Sequence, residues 1–374
     1  MSRITGDLPM HSRNAPALID CLTGSGQILP VFSLIDVGVS AGIYPIWRKW
    51  GDKLRAVGFD PSTHEIEALR EEETNPYVTY ECTKVTGPRP ASGIASPPQT
   101  TYPLHRTSAY AAAEILENCS QGRWWKNPKR GPTDAAFTDC PDPNQDPFYR
   151  HHARRMNRGQ HPLLTSRQLT LDDYFGPEAR AANFLKIDTD GYELDVLRGG
   201  EALFDRCWFD FVEVECQFHG PRSHAANIFS HIDTFLRDKG FSLYKMDPHT
   251  YSRRALPYPF QYEIAAQTKG GPLQWADALY VRDPLSQPTD RTEWTPERLL
   301  QMALVFDLYG LSDCSAEVLV EFQSQLPLPE KLWWESMDFL TRKVRPGFDS
   351  FRSFTSAFAR DPLNAPPGYR SRRT

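Results

Sequence analysis

The chain has 374 residues, a formal net charge of −5, and 40% hydrophobic and 12% aromatic residues. Such a length holds one large α/β domain with additions, or two domains, and the apolar share excludes global disorder. The acidic balance gives no global basic field to mark nucleic acid or an anionic membrane as partner, and Arg150 to Arg158 is the best local basic stretch.

Seven cysteines are scattered without a CxxC pair, and their odd number favours a reducing compartment over a disulfide framework. The N-terminal MSRITGDLPMHSRN has no apolar run of the kind a signal peptide needs. No stretch approaches the roughly 20 apolar residues that span a bilayer. The expectation is a cytoplasmic protein without a membrane span.

In chain order, residues 1–30 read as a polar, irregular extension ending in Gly24-Ser25-Gly26. Val31 to Ile35 is an apolar run that stops at Asp36, as in a strand buried on both faces of a parallel sheet. Ile43 to Leu54 reads as a helix that starts near Pro45. Arg55 to Asp60 follows as a strand, Ser62 or Thr63 caps another helix, and Tyr77 to Cys82 is a third strand. Strands alternating with helices predict a doubly wound α/β sheet.

From about 86 to 160 the rhythm breaks into clustered Pro and Gly, with Trp124-Trp125 and a helical pattern near Ser108 to Asn118. This reads as an insertion, either a lid, a substrate-binding surface or a long surface loop. The rhythm resumes with strands at Phe184–Ile187, Trp208–Glu215, Phe241–Met246 and Trp275–Val281, and helices at Tyr192–Asp205 and Ser223–Lys239. The α/β domain thus spans 31–285. Residues 290–360 read as a helical appendage, with helices from Pro296 to Gly310, Ser315 to Gln325 and Glu330 to Val344. A Pro- and Arg-rich tail, 361–374, reads as disordered.

The turn after the first strand is Asp36-Val37-Gly38-Val39-Ser40-Ala41-Gly42. Its glycines allow a sharp turn and a close approach to a ligand. Asp60 ends the second strand eighteen residues beyond Gly42, where α/β cofactor domains bond ribose hydroxyls. A diphosphate prefers G-x-G-x-x-G, whereas D-x-G-x-x-x-G places an acid beside the ligand. A carboxylate suits the cationic amino-acid end of S-adenosylmethionine. Asp36, Gly38, Ser40, Gly42, Asp60 and Asp188 are the candidate cofactor-binding residues. An ordinary strand–turn–helix with incidental glycines is the plain alternative.

The most specific stretch is Phe184-Leu185-Lys186-Ile187-Asp188-Thr189-Asp190-Gly191-Tyr192-Glu193, running on to Gly199-Gly200. Together with Thr170-Leu171-Asp172-Asp173-Tyr174 and Phe211-Val212-Glu213-Val214-Glu215, it resembles the signature of FkbM-type methyltransferases. Asp190 departs from it, since that family more often has Glu there, and the insertion lacks the family's serine-containing segment. The resemblance implies a Rossmann-like seven-stranded methyltransferase sheet over Val31 to Arg282, S-adenosylmethionine as cofactor, and O-methylation of a sugar, glycan, glycolipid or polyketide hydroxyl. Read without it, Asp188 still lies at the carboxyl end of a buried strand, where open α/β sheets bind ligands. Asp190 and Glu193 could equally be helix-capping acids.

A hydroxyl acceptor must lose a proton, so Asp188 is the candidate base or orienting group, with Asp190 and Glu215 behind it. Asp188 and Asp190 could instead share a divalent cation, although no metal site is assigned. His151, His152, His161 and His219 read as solvated or packed residues rather than bases, and the Arg150–Arg158 face as solvated. Two rivals stand beside methyl transfer. One is a nicotinamide-dependent oxidoreductase, which the missing third glycine disfavours. The other is a non-catalytic, cofactor-binding scaffold protein, whose C-terminal helices could mediate homodimerisation.

Overall fold

The computed structural model describes residues 16–39, 42–88, 165–178, 182–189, 191–206, 208–218, 227–251, 267–268, 271, 273–286 and 294–362. Most of the expected insertion, the basic stretch 150–158, His151, His152, His161, His219, Ser40, Asp190 and the tail beyond 362 lie outside them.

The centre is one sheet built from β1 (Phe32–Val37), β2 (Leu54–Asp60), β3 (Val78–Cys82), β6 (Phe184–Ile187), β7 (Phe211–Gln217), β8 (Ser242–Tyr251), β9 (Gln267–Thr268) and β10 (Leu273–Val281). Their order is β3-β2-β1-β6-β7-β10-β8-β9. The strands from β3 to β7 are parallel, while β10 runs antiparallel between β7 and β8. This is the expected Rossmann-like seven-stranded sheet, lengthened by the two-residue β9. The order reverses between β1 and β6, and an open α/β sheet binds ligands outside the strand carboxyl ends at such a switch point.

Strands such as FLKI in β6 are buried on both faces, because each face carries its own layer. On one face Ile35, Val37, Leu185, Ile187, Val212 and Val214 form a core with α3 (Leu171–Phe175), α4 (Glu193–Gly199), α5 (Glu201–Asp205) and α6 (Phe229–Asp238). On the other, Phe32, Leu34, Phe184, Phe211 and Leu279 pack under α7 (Pro296–Leu308), α8 (Ser312–Glu321) and α9 (Glu330–Val344). Every residue of α7 from Leu299 to Leu308 is buried, as expected of a helix covered all round. Phe306 meets Phe211 edge-on at 5.6 Å. α7, α8 and α9 therefore form a layer of the fold.

Three local differences from the sequence expectations have physical causes. The supposedly irregular extension contains α1 (Leu18–Gly24), whose Leu18, Ile19 and Leu22 are buried. Its Leu18 N–H donates to the Asp307 carboxylate of α7 at 2.7 Å. In place of a helix over Ile43–Leu54 there is a short 3-10 segment, Trp47–Lys53, interrupted at Gly51, where φ is 54°. A 3-10 turn eclipses residues three apart. Trp47 and Trp50 thereby both stack on Phe32, at 5.3 and 4.3 Å. Finally, α10 (Phe351–Arg360) follows α9. Its Ser and Thr content gives weak helix propensity and hides it from a periodicity reading.

β4 (Lys84–Val85) pairs in parallel with β5 (Gln168–Leu169). The Thr165 N–H also donates to the Pro61 carbonyl at 2.9 Å. The chain thus leaves and re-enters the described fold beside Asp60. Among the described residues β3 is an edge strand, at the opposite sheet margin from β9. There the Arg70 guanidinium of α2 (Thr63–Glu72) donates twice to the Tyr80 carbonyl, at 2.8 and 2.6 Å.

Candidate active site

The turn after β1 is shaped by contacts within the protein. Gly38 has φ 97°, and a Cβ there would lie 1.7 Å from the Asp188 carbonyl oxygen. Its N–H donates to the Phe59 carbonyl at 2.8 Å, and the Asp188 N–H donates to the Val37 carbonyl at 2.8 Å. The missing side chain at 38 thus lets the first turn and the end of β6 touch backbone to backbone. Gly42 has φ 79°, and a Cβ placed there would lie 2.9 Å from the Leu69 side chain. Both glycines fit the expectation of a tight turn, and the space they vacate is filled by the protein's own atoms.

Strand register brings the charged residues into line. Asp36 pairs with Lys186, Lys186 with Glu213, and Glu213 with Leu279, which pairs with Lys245. Residues in such a row share one face of the sheet. Lys186 is buried, 3.2 Å from an Asp188 oxygen and 3.7 Å from Asp36. Its ammonium also lies 5.0 Å above the Tyr44 ring. Glu213 accepts a hydrogen bond from the Tyr309 hydroxyl at the end of α7, and the Lys245 ammonium donates to the Tyr309 carbonyl at 2.8 Å.

Burial pushes the Asp36 carboxyl up to about 6 against the pull of Lys186, and Asp188 and Glu213 add to the rise. Burial opposes the charge on Lys186, yet Asp188 and Asp36 outweigh it and hold the ammonium well above the usual lysine range. Burial likewise raises Glu213, with Lys186 and the Tyr309 hydroxyl pulling the other way. Asp277 is raised well above the carboxylate range by burial, with Glu213 and Asp188 adding to it. Lys245 is lowered by burial. One buried cation therefore stands among several carboxylates, and removing it would leave buried charge uncompensated.

Asp188, at the mouth of this row, keeps 37% of its side chain exposed. It is the row's outlet to solvent on the β6 side. Asp60 is buried at the tip of β2, and one carboxylate oxygen accepts from the Ser62 N–H at 2.7 Å. Glu215 lies on β7 opposite Asp277, two residues beyond Glu213. Asp36, Gly38, Asp188 and Glu215 thus gather around the switch point, with Asp60 one strand over. Asp190 and Ser40 lie outside the described residues.

Glu193 is buried and accepts from the N–H and hydroxyl of Thr189, both at 2.9 Å, from the Gly191 N–H at 3.0 Å, and from the Asn227 amide. It ties the turn after β6 to the start of α4, a capping arrangement. Among the described residues, no group of three or more His, Cys, Asp or Glu side chains is placed to hold a metal ion.

The sequence reading missed Lys186, Tyr44, Glu213, Tyr309, Asp277 and Lys245 as members of the site. The signal available was the charged residue embedded in each apolar strand, as in F-L-K-I and F-V-E-V. Lys186 and Glu213 each stand two places before a candidate acid.

The strand order, parallel from β3 to β7 with antiparallel β10 between β7 and β8, is that of a Rossmann-like methyltransferase sheet. Residues 129–243 match the family model described as Methyltransferase FkbM domain. The match begins inside the expected insertion and takes in Thr170–Tyr174, Phe184–Gly200 and Phe211–Glu215, but not the Asp36–Gly42 turn. Its cofactor is S-adenosylmethionine and its reaction class methyl transfer. No curated protein matches the chain. Among solved structures, a SAM dependent methyltransferase from Aquifex aeolicus aligns at 8% identity and TM-score 0.29, over 73% of this chain and 92% of that one. M. capricolum TrmK, in complex with its cofactor product S-adenosyl-homocysteine, aligns at 7% identity and TM-score 0.27, over 86% of this chain and 94% of that one. The strand order, and not superpositions this loose, defines the fold.

Proposed function

We propose that the chain O-methylates a hydroxyl of a sugar, glycan, glycolipid or polyketide-type small-molecule acceptor. The observation that carries the reading is the placement of Asp188, partly exposed at the end of β6 and 3.2 Å from buried Lys186, beside the Gly38 turn. Support for oxygen as the acceptor atom comes from the likeness of Phe184–Gly200 to the FkbM signature.

The donor set fits the cofactor. Asp36 is buried with one oxygen lacking a hydrogen-bond donor, a carboxylate suited to a cationic amino-acid group. Asp60, at the tip of β2, is the candidate partner of the ribose hydroxyls. With Gly38, Ser40 and Gly42 these residues would hold S-adenosylmethionine. When bound, the cofactor supplies an electrophilic methyl group on a positively charged sulfur, which leaves as a neutral thioether.

The chain's own task is alignment and proton removal. Asp188 orients the acceptor hydroxyl in line with the methyl group, a proximity effect. With the cofactor bound, Asp188 would take the proton that the acceptor hydroxyl gives up on methylation. Lys186 fixes the carboxylate's position through their ion pair. Asp190 and Glu215 are the further acids of this reading.

Isothermal titration with S-adenosylmethionine and with NAD tests the cofactor, and binding of NAD alone would overturn the reading. Tight S-adenosylmethionine binding without turnover on any hydroxylated acceptor would instead mark a scaffold. Transfer to nitrogen but not oxygen acceptors would overturn the oxygen assignment.

A further inference from the structure

Residues 342–374 hold eight Arg or Lys against two Asp, in a chain whose net charge is −5. Within that segment α10 carries Phe351, Phe354 and Phe358, spaced three and four apart and so lying on one stripe of the helix. Phe348 extends the stripe, its ring 5.4 Å from Phe354. None of the helix's ten residues is buried, and Phe358 is 49% exposed. The helix contains Arg352 and Arg360 and no acid.

The N-terminal end of α10 is fastened to the body. The Ser350 hydroxyl accepts from the Ser353 N–H at 3.2 Å, and the Phe351 N–H donates to Asp338 of α9 at 2.7 Å. The Phe351 ring also meets Trp334 of α9 at 6.3 Å. Toward the C-terminal end the stripe opens to solvent. Arg352 lies 4.2 Å over Trp334, and Arg345 lies 5.8 Å over the Phe354 ring. Phe358 is thus presented outward at the free end of the stripe, while Phe348, Phe351 and Phe354 are half-buried.

We infer that α10 is an interfacial anchor that lays its phenylalanine stripe into the headgroup boundary of an anionic lipid leaflet. A short helix with aromatic residues on one face and arginines on the other binds such a surface through apolar burial and charge together. A second copy of the chain is a poorer occupant. Two-fold pairing of the stripe would bury the rings but leave the arginines, on the other face, without a counterpart, since α10 carries no acid. A nucleic acid would use the arginines but not three phenylalanines on a convex stripe, since base stacking calls for a groove that tracks the strand. Among the described residues no helix is long and apolar enough to cross a membrane, so the attachment is peripheral. The inference is independent of the acceptor.

The test uses the full chain in co-sedimentation with phosphatidylcholine vesicles, with and without phosphatidylserine. Partition should favour the anionic vesicles by about tenfold or more. The Phe354→Ser/Phe358→Ser variant and the Arg352→Gln/Arg360→Gln variant should each lose about tenfold of that partition. Circular dichroism and the S-adenosylmethionine titration should stay unchanged in both. Equal partition onto neutral and anionic vesicles would overturn the inference, as would wild-type partition by the phenylalanine variant. So would a solution dimer that Phe358→Ser dissociates, or tighter binding to an RNA oligonucleotide that the same variants abolish.

Discussion

At the scale of single residues, Asp188 and Asp36 flank one lysine but stand in different surroundings. Asp188 keeps 37% of its side chain exposed, whereas Asp36 is buried. Asp188→Asn should lower kcat by about a hundredfold or more while leaving the cofactor dissociation constant within a few fold. Single-turnover kinetics beside calorimetry would check this, and an active variant would remove Asp188 from the proposed role. Asp36 holds its proton up to about pH 6 when folded, against 3.8 for the free side chain. The folded state therefore binds more protons between those values, and its stability falls as pH rises through them. The contribution is complete below about pH 4, and up to about 3 kcal/mol is lost above pH 6. Asp36→Asn should flatten that portion of a plot of urea-unfolding free energy against pH. Both acids were legible in the sequence, each ending an apolar run. Lys186 and Glu213 were not, because one charge inside F-L-K-I or F-V-E-V looks like surface alternation until register sets the two side by side.

At the scale of elements, the turn after β1 and the turn after β6 behave as one unit. Gly38→Ala would force a Cβ to 1.7 Å from the Asp188 carbonyl and hold a side chain at φ 97°. The variant should lose about 3 kcal/mol or more of stability, together with cofactor binding, as measured by thermal unfolding and titration. Chain order gave the β1, β2, β3, β6 and β7 strands to within a few residues, since their apolar runs are dense and interrupted by turns. The 3-10 segment at Trp47–Lys53 was not legible. Trp47 and Trp50 fit a helical spacing, and only their common stacking on Phe32 selects the tighter turn. The role of Gly38 was half legible: the turn was, but its backbone partner 150 residues away was not.

At the scale of the whole molecule, the C-terminal helices and the catalytic edge are joined through Tyr309. Its hydroxyl donates to buried Glu213, and its ring lies 5.7 Å from Phe184 in β6. Tyr309→Phe should preserve the packing but remove one hydrogen bond from the buried carboxyl, costing about 1–3 kcal/mol in urea unfolding. The same variant should shift the pH dependence of turnover, because Glu213 is two residues from Glu215 on β7. Amphipathic spacing announced the helices α7 to α9, yet could not say whether they would cover the sheet or a partner. The burial of α7 on all sides decides for the sheet.

The guanidinium of Arg70 has a bearing on solubility. An open parallel edge presents carbonyls that a strand from another molecule can pair with, and cells meet such edges at high concentration during synthesis. With its two hydrogen bonds to the Tyr80 carbonyl, Arg70 occupies one acceptor of β3 and sets a positive charge against incoming chains. Arg70→Ala should leave the folded monomer nearly as stable while raising light scattering on concentration or refolding. The outer strand would then be guarded by charge, and the enzyme's tolerance of crowded conditions would depend on a residue remote from its chemistry.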